Sequence, residues 1–383
     1  MKTSSLKRDY QICNRCVMDT SDPFITFDMD GHCNHCNYFL QKKIRNFKKK
    51  DNSRESLYDL FDNIKRQNSS SRSYDVLIGI SGGTDSSSTL LLAQEAGLRI
   101  LAVHLDNGWD TPISIRNINR LVSLKGVDYE CEVLNWNNFK LLQRIFINSG
   151  LPDIELPTDI AILAAQNKFA IKHKIKTILT GGNISNEGIL PAAWMYNVKD
   201  TLFAESVIKK SGHSKSLFKP IKFGFRDELK HRLIHKIKTL HPLNYYNYDK
   251  VEAKKELIKK IGWEDPVGKH CESTYTSFCQ LIYQPKRNKF DYRRAHLSTD
   301  ILQKRITRNQ ALEILKSDPW VNLDVESQLE FVAYKLGYSV LELKEIMSMP
   351  SKWYFDFPNR KRFLGMSYDI YRFLTGRNKL AQF

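Results

Sequence analysis

The sequence predicts an α/β protein built on a doubly wound, mainly parallel sheet. Three observations carry that prediction. Val76-Leu77-Ile78-Gly79-Ile80 is a short β-branched apolar run, as in a buried strand, and Ser81-Gly82-Gly83-Thr84-Asp85-Ser86-Ser87 leads from it into a helical stretch reaching Ala93. Apolar runs then alternate with helical ones: a strand over 98–105, a helix near 112–125, a strand over 129–134, a helix over 160–173 and a strand over 176–180. The last of these runs ends on a second glycine turn, Thr180-Gly181-Gly182-Asn183, at the sheet edge where ligands of such folds bind.

The first loop has the chemistry of an anion site. Gly82 and Gly83 let the backbone turn tightly. The amides then lie at a helix N-terminus, where the dipole favours negative charge. Ser81, Thr84 and Ser86 add hydroxyls, and Asp85 offers a carboxylate to a magnesium ion carried by phosphates. The loop lacks the Lys-Ser/Thr ending of a Walker A loop, so a P-loop kinase or GTPase is excluded. Gly181, Gly182 and Asn183 would face the same phosphates, and Glu187 would share the magnesium with Asp85. Asp106, at the end of the second strand, reads either as a nucleotide contact or as the start of an Asp-Asn-Gly turn.

Ahead of this domain, Cys13-x2-Cys16 and Cys33-x2-Cys36 are separated by sixteen residues. Paired knuckles with this spacing predict a closed, structural zinc site of four thiolates. An iron–sulfur centre is the alternative that ligand count leaves open. His32 and His35 flank the second pair as substitute ligands.

The 383 residues are 42% hydrophobic and 26% charged, ordinary globular values, with room for two or three domains. The chain shows neither an apolar run long enough to span a bilayer nor a signal-peptide core, so a cytoplasmic protein without membrane contact is expected. Seven cysteines then read as thiols or metal ligands, not disulfides. The net charge of +17 gathers in 42–50, 209–238 and 286–294. No aromatic-interleaved motif accompanies these runs, so a diphosphate-bearing substrate or a solvated face is expected in place of nucleic acid.

Four segments follow: a zinc module over 1–45, a basic helix and polar linker over 46–73, the nucleotide domain over 74–245, and a mostly helical region over 246–383. The 41–73 stretch is too polar to bury much. In the last segment, Thr307-x-x-Gln310 marks a capping-box helix start, and 301–347 carries apolar residues at helical spacing.

SGGTDSS after an apolar strand resembles the PP-loop of the ATP pyrophosphatases, the adenine nucleotide alpha hydrolase-like fold, whose members cleave ATP to AMP and pyrophosphate. The paired cysteines, SGGTDSS, PTDIAILAAQNKFA, LTGGNISNEGILPAAW, GWEDPVGKHCES and RRAHLS together resemble the N-acetyl sugar amidotransferase family of lipopolysaccharide O-antigen and surface-glycan biosynthesis. The resemblance runs from about residue 10 to 315. It implies ATP, Mg2+ and Zn2+ as cofactors and a nucleotide-linked N-acetyl sugar as substrate. The reaction would replace an acetamido oxygen with ammonia-derived nitrogen. Asp85 and Glu187 would be catalytic, and Asp159, Lys269, His270, Glu272, Arg293, Arg294 and His296 would hold the sugar nucleotide. None of Cys131, Cys271 and Cys279 lies in a glutaminase-like setting, so a separate glutaminase subunit with a cyclase-like companion is implied. Two rival readings stand beside this one. A tRNA-thiolating PP-loop enzyme would need a sulfur-handling cysteine near ATP, and a non-catalytic zinc-bearing interaction protein would have no use for an intact loop.

Overall fold

Five parallel strands form one sheet in the order β3-β2-β1-β4-β5: β1 Val76–Gly79, β2 Ile100–Asp106, β3 Val127–Val133, β4 Thr177–Leu179 and β5 Lys238–Leu240. The computed structural model describes residues 9–47, 53–68, 73–266 and 271–375. Helices α1 Asn34–Phe47 and α2 Arg54–Gln67 precede the sheet. Between strands lie α3 Thr84–Glu95, α4 Pro112–Val122, α5 Trp136–Asn148, α6 Leu156–Lys172, the single turn α7 Ile184–Glu187, α8 Thr201–Lys210 and α9 Phe225–Leu233. After β5 come α10 Lys250–Ile261, α11 Thr274–Ser277, α12 Gln284–Asn288, α13 Tyr292–Leu302, α14 Arg308–Ile314, α15 Val325–Leu336, α16 Val340–Ser348 and α17 Lys361–Thr375.

The central strands are buried on both faces because their side chains alternate with period two. Val76, Ile78, Ile100 and Ala102 pack on one face against Leu90 of α3 and Leu121 of α4. Leu77, Leu101 and Val103 pack on the other against Phe169 and Ala170 of α6. The sheet is therefore doubly wound, as the sequence predicts. Strand order reverses between β1 and β4, so the turns after these two strands flank the switch point at the carboxyl edge.

Two expectations need correction. Within 46–73, expected as a basic helix and polar linker too polar to bury much, the described residues 53–68 carry α2, which starts on a Ser53 cap and buries Leu57, Phe61 and Ile64 in the core of the α/β unit, their spacing placing them on one helix face; 48–52 and 69–72 lie outside the described residues. The boundary at 245/246 crosses no break in packing, since Tyr248 and Ala253 join the same core and Leu257 packs on Leu91 of α3. Cys131 is partly exposed on the edge strand β3.

The C-terminal helices divide between two places. Val332, Leu336 and Leu343 of α15 and α16 cover Ile147 of α5 and Trp109 beyond β2. Phe290, Tyr292 and Ala295 instead pack on the cysteine module and on Ile189, Ala193 and Trp194. No helix among the described residues is long and apolar enough to cross a membrane.

Candidate active site and metal centre

The turn after β1 is fixed from three directions. Gly82 has φ +76°, and a Cβ there would lie 2.5 Å from the Ser114 carbonyl oxygen, so only glycine fits between β1 and α4. Its carbonyl accepts hydrogen bonds from Trp263 Nε1 at 3.0 Å and Asn117 Nδ2 at 3.1 Å. Gly83 is the N-cap of α3 and brings no side chain to the cap, which leaves the amides of the first turn to a ligand. The Ser81 and Ser86 hydroxyls are 3.2 Å apart, and the Ser81 and Gly83 amides donate to Ser86 Oγ and Ser81 Oγ. Thr84 is buried, and its carbonyl accepts from the Ser88 hydroxyl.

The turn after β4 interlocks with this one. A Cβ on Gly181 would lie 2.7 Å from the Asp85 carbonyl carbon and the Ser86 nitrogen, so the two glycine turns are in backbone contact. Asn183 caps α7: its Oδ1 accepts from the Asn186 amide at 2.9 Å and its Nδ2 donates to the Gly181 carbonyl at 3.0 Å. The Gly182 carbonyl meets His241 Nδ1 at 3.2 Å. Glu187 ends α7, half-buried, one residue beyond Asn186, whose amide group donates to Asp85 Oδ1 at 3.2 Å. The Tyr248 hydroxyl donates to the same Asp85 oxygen at 2.6 Å. Asp85 Oδ2 has only a 3.5 Å contact with Asn186 among the interactions of the described residues. One oxygen of Asp85 is thus anchored by two donors while the other keeps one long contact, an arrangement compatible with a hard-cation ligand. Asp85 and Glu187 are oxygen donors of the type magnesium takes.

Asp106 resolves to the turn: its Oδ1 accepts from the Gly108 amide at 2.9 Å, and Gly108 has φ +81°. Behind it, buried His104 stands between the Ile80 carbonyl at 3.0 Å and Asp110 Oδ2 at 2.9 Å. With acceptors on both nitrogens, the imidazolium is the form that satisfies them. Burial alone would lower the His104 pKa, but the Asp110 hydrogen bond and charge prevail and raise it.

An acidic path leads away from the first loop. Glu272 Oε1 would be 2.7 Å from a Cβ on Gly83. The charge of Glu272 acts on Glu155, which takes a hydrogen bond from Gln280 Nε2 at 3.3 Å. Asp159 lies in the first turn of α6, where burial and then the charges of Glu155 and Asp153 push its carboxyl well above the usual range. Burial likewise pushes Asp153 up to about 7. Glu272 therefore lies beside the loop, and Asp159 is coupled by charge to Glu155 and Asp153 behind it.

Arg293 and Arg294 are drawn into contacts with other elements. Arg293 is bound to Asp291 at 2.7 Å and to the Ser317 carbonyl at 2.7 Å. Arg294 reaches the Val17 carbonyl at 2.8 Å and Asp19 at 3.1 Å, in the cysteine module. His296 lies one turn on, beside the Tyr292 ring. These arginines are occupied as braces between elements: the guanidinium fork that suits a phosphate equally suits carboxylates and carbonyls. Lys269 and His270 lie outside the described residues. Sequence reasoning missed Asn117, Asn186, Tyr248 and Arg305, which lack any local motif.

The four cysteine sulfurs lie within 4.8 Å of one another. Cys13–Cys36 and Cys16–Cys33 are 3.7 Å apart and Cys33–Cys36 3.5 Å. A single tetrahedral ion with bonds of about 2.3 Å to sulfur requires edges of about 3.8 Å. The cage therefore fits one ion; a polynuclear cluster, with each thiolate on its own iron, would spread the sulfurs farther. The amides of Arg15, Cys16 and Cys33 donate to Cys13 Sγ, and the thiol hydrogen bonds of Cys16, Cys33 and Cys36 hold Cys13 well below the ordinary thiol range. His35 is paired with Asp22 at 2.6 Å and His32 with Arg15 at 2.8 Å, so neither is a ligand.

Among solved structures the chain is similar to the NH3-dependent NAD synthetase from Campylobacter jejuni subsp. jejuni NCTC 11168 in complex with the nitrate ion, at 16% identity over 54% of this chain and 93% of that one (TM-score 0.29). It is similar to the U34-tRNA thiolase NcsA from Methanococcus maripaludis with its [4Fe-4S] cluster, at 15% identity over 79% and 88% (TM-score 0.31). A third is the NMN synthetase from Francisella tularensis, at 13% identity over 59% and 90% (TM-score 0.27). No curated protein matches the chain. Residues 272–373 match the family model described as the C-terminal domain of WbpG-like LPS biosynthesis proteins.

Proposed function

We propose that this protein is an ATP-using enzyme of lipopolysaccharide biosynthesis, and more finely an amidotransferase that converts the acetamido group of a nucleotide-linked N-acetyl sugar to an acetamidino group. The observation that carries the reading is the interlock at the switch point, where the Gly181 turn packs on the backbone of Asp85 and Ser86 at the N-terminus of α3, whose N-cap is a glycine. The match of 272–373 to an LPS biosynthesis domain supports the pathway.

The amide oxygen of the substrate attacks the α-phosphorus of ATP, the bond to the β-phosphate oxygen breaks, and pyrophosphate leaves. The product is an O-adenylated imidate. Ammonia adds to its carbon, loses a proton, and expels AMP, which leaves the amidine. The amides of Gly83 to Asp85 and the hydroxyls of Ser81 and Ser86 receive the charge that grows on the departing pyrophosphate. Asp85 and Glu187 would hold magnesium, which would offset phosphate charge when bound. Asp159 and Glu155, whose carboxyl pKa burial raises, would face the sugar side of the site. Zinc in the cysteine cage would be structural, because four thiolates leave no open position. A cytoplasmic site of action fits substrates of this kind.

The nitrogen would come from a separate glutaminase subunit with a cyclase-like companion. Burial raises the thiol pKa of Cys131, Cys271 and Cys279 alike, so none is poised as the thiolate that glutamine cleavage or sulfur transfer requires. The test supplies ATP, Mg2+, ammonium and either a UDP-N-acetyl sugar or tRNA. AMP and pyrophosphate should form with the sugar nucleotide, whose mass should change by exchange of O for NH. Thiolated tRNA, or ADP as the nucleotide product, would overturn the reading.

A further inference from the structure

We propose that Arg305, contributed by the C-terminal domain, is the positioning residue that sets the orientation of Asp85 in the nucleotide loop. The inference rests on the reading of Asp85 as a magnesium ligand. Asp85 Oδ1 is held by the Tyr248 hydroxyl and by Asn186 Nδ2. Arg305 reaches both of those residues. One terminal nitrogen donates to the Tyr248 carbonyl at 2.9 Å, and the other lies 3.4 Å from Asn186 Oδ1 and 3.1 Å from the Ser185 carbonyl. Asp300, 3.1 Å away, balances its charge.

The chemistry of the fork explains why an arginine is needed. A guanidinium has donors and no acceptor, so only the oxygen of the Asn186 amide can face it. That choice turns the NH2 group toward Asp85. Loss of Arg305 removes this constraint on the amide, and the flipped orientation would present its oxygen to the carboxylate and repel Asp85 from its anchored position. A lysine is a point donor on a flexible stem and cannot bind Tyr248 and Asn186 together. Gln303 provides an internal comparison, because its side chain donates to the Ser185 carbonyl but to neither partner of Asp85.

The test measures ATP binding by calorimetry as a function of magnesium, with no sugar present, in the full-length chain. Arg305→Lys and Asn186→Ala should each raise the magnesium needed for half-maximal ATP binding about 10-fold, as loss of an outer-shell partner does. The double variant should show no further shift, since both act through one amide. Gln303→Ala should stay within about twofold of wild type. Wild-type magnesium dependence in both single variants would overturn the proposal, as would an equal shift in Gln303→Ala, which would make the effect one of simple docking. An unaltered protein that binds no ATP would instead refute the nucleotide site itself.

Discussion

Gly181 and Gly182 are neighbours in one turn, yet alanine should be ruinous at the first and tolerated at the second. A Cβ on Gly181 would lie 2.7 Å from the Asp85 carbonyl carbon and the Ser86 nitrogen and 2.9 Å from the Asp85 oxygen. Carbon contacts are comfortable at about 3.5 Å or more, so the shortfall is about 0.8 Å. All three atoms are backbone of the first turn of α3, and the Thr89 hydroxyl also holds the Asp85 carbonyl at 2.9 Å. The helix therefore cannot yield, and the turn bearing Asn183 and Glu187 must move. Overpacking of this kind costs about 1–3 kcal/mol of stability. A displacement near 1 Å of a group in the site costs about 100-fold in rate. At Gly182 the Cβ would meet only His241 Nδ1, at 3.4 Å, and the backbone is not in the left-handed region, so the change should stay within about twofold. Pyrophosphate release from ATP with sugar nucleotide and ammonium, together with thermal melting, reads both effects. If Gly181→Ala retained wild-type turnover, or if Gly182→Ala were the more damaging, the interlock of the two turns would not be what organises the site.

Elemental analysis should find about one zinc per chain, and Cys16→Ser should lose the metal and lower the melting temperature, because a closed thiolate site contributes folding energy; several irons with inorganic sulfide would contradict the sulfur geometry, and a single iron would contradict the choice of zinc. His104 has a folded pKa above its ordinary value, so its pairing with Asp110 stabilises fully below about pH 6.5 and fades as pH rises through the folded pKa. Denaturant unfolding should accordingly show Asp110→Asn losing stability at pH 6 and converging on wild type in alkali; a constant difference across pH would show that Asp110 acts through packing alone.

The parts of this protein legible in its sequence are those whose signal is local. Val76 to Ser87 announces strand, turn and helix within a dozen residues, because a buried strand needs apolar side chains and a phosphate turn needs glycine. The cysteine pairs are legible for the same reason: two sulfurs per knuckle must come from one tight turn. The strand Lys238–Leu240 escaped notice, being only three residues long and set in a basic stretch on the sheet edge. The partners of Asp85 were also invisible, since Tyr248 lies 163 residues away and Asn186 lies 101 away. Arg294 misled for a chemical reason. Nothing in a sequence tells whether an arginine fork will meet a diphosphate or the carbonyl of Val17.

The cysteine module is braced by residues made long after it. Arg294 binds the Val17 carbonyl across 277 residues of chain, and Arg308 closes on the carbonyls of Cys13 and Cys16 across 295 and 292. At about 5–20 residues per second of synthesis, those braces follow the knuckles by roughly a quarter of a minute to a minute. Trp194 emerges only after more than half of that interval, and Phe290 only at its end, so the early module has neither to lean on. Its own apolar side chains are few, so metal capture is what can keep the nascent knuckles folded until translation delivers their cover. Scarcity of zinc in the cell should therefore act on the newborn chain, as degradation during synthesis, far more than on the finished protein.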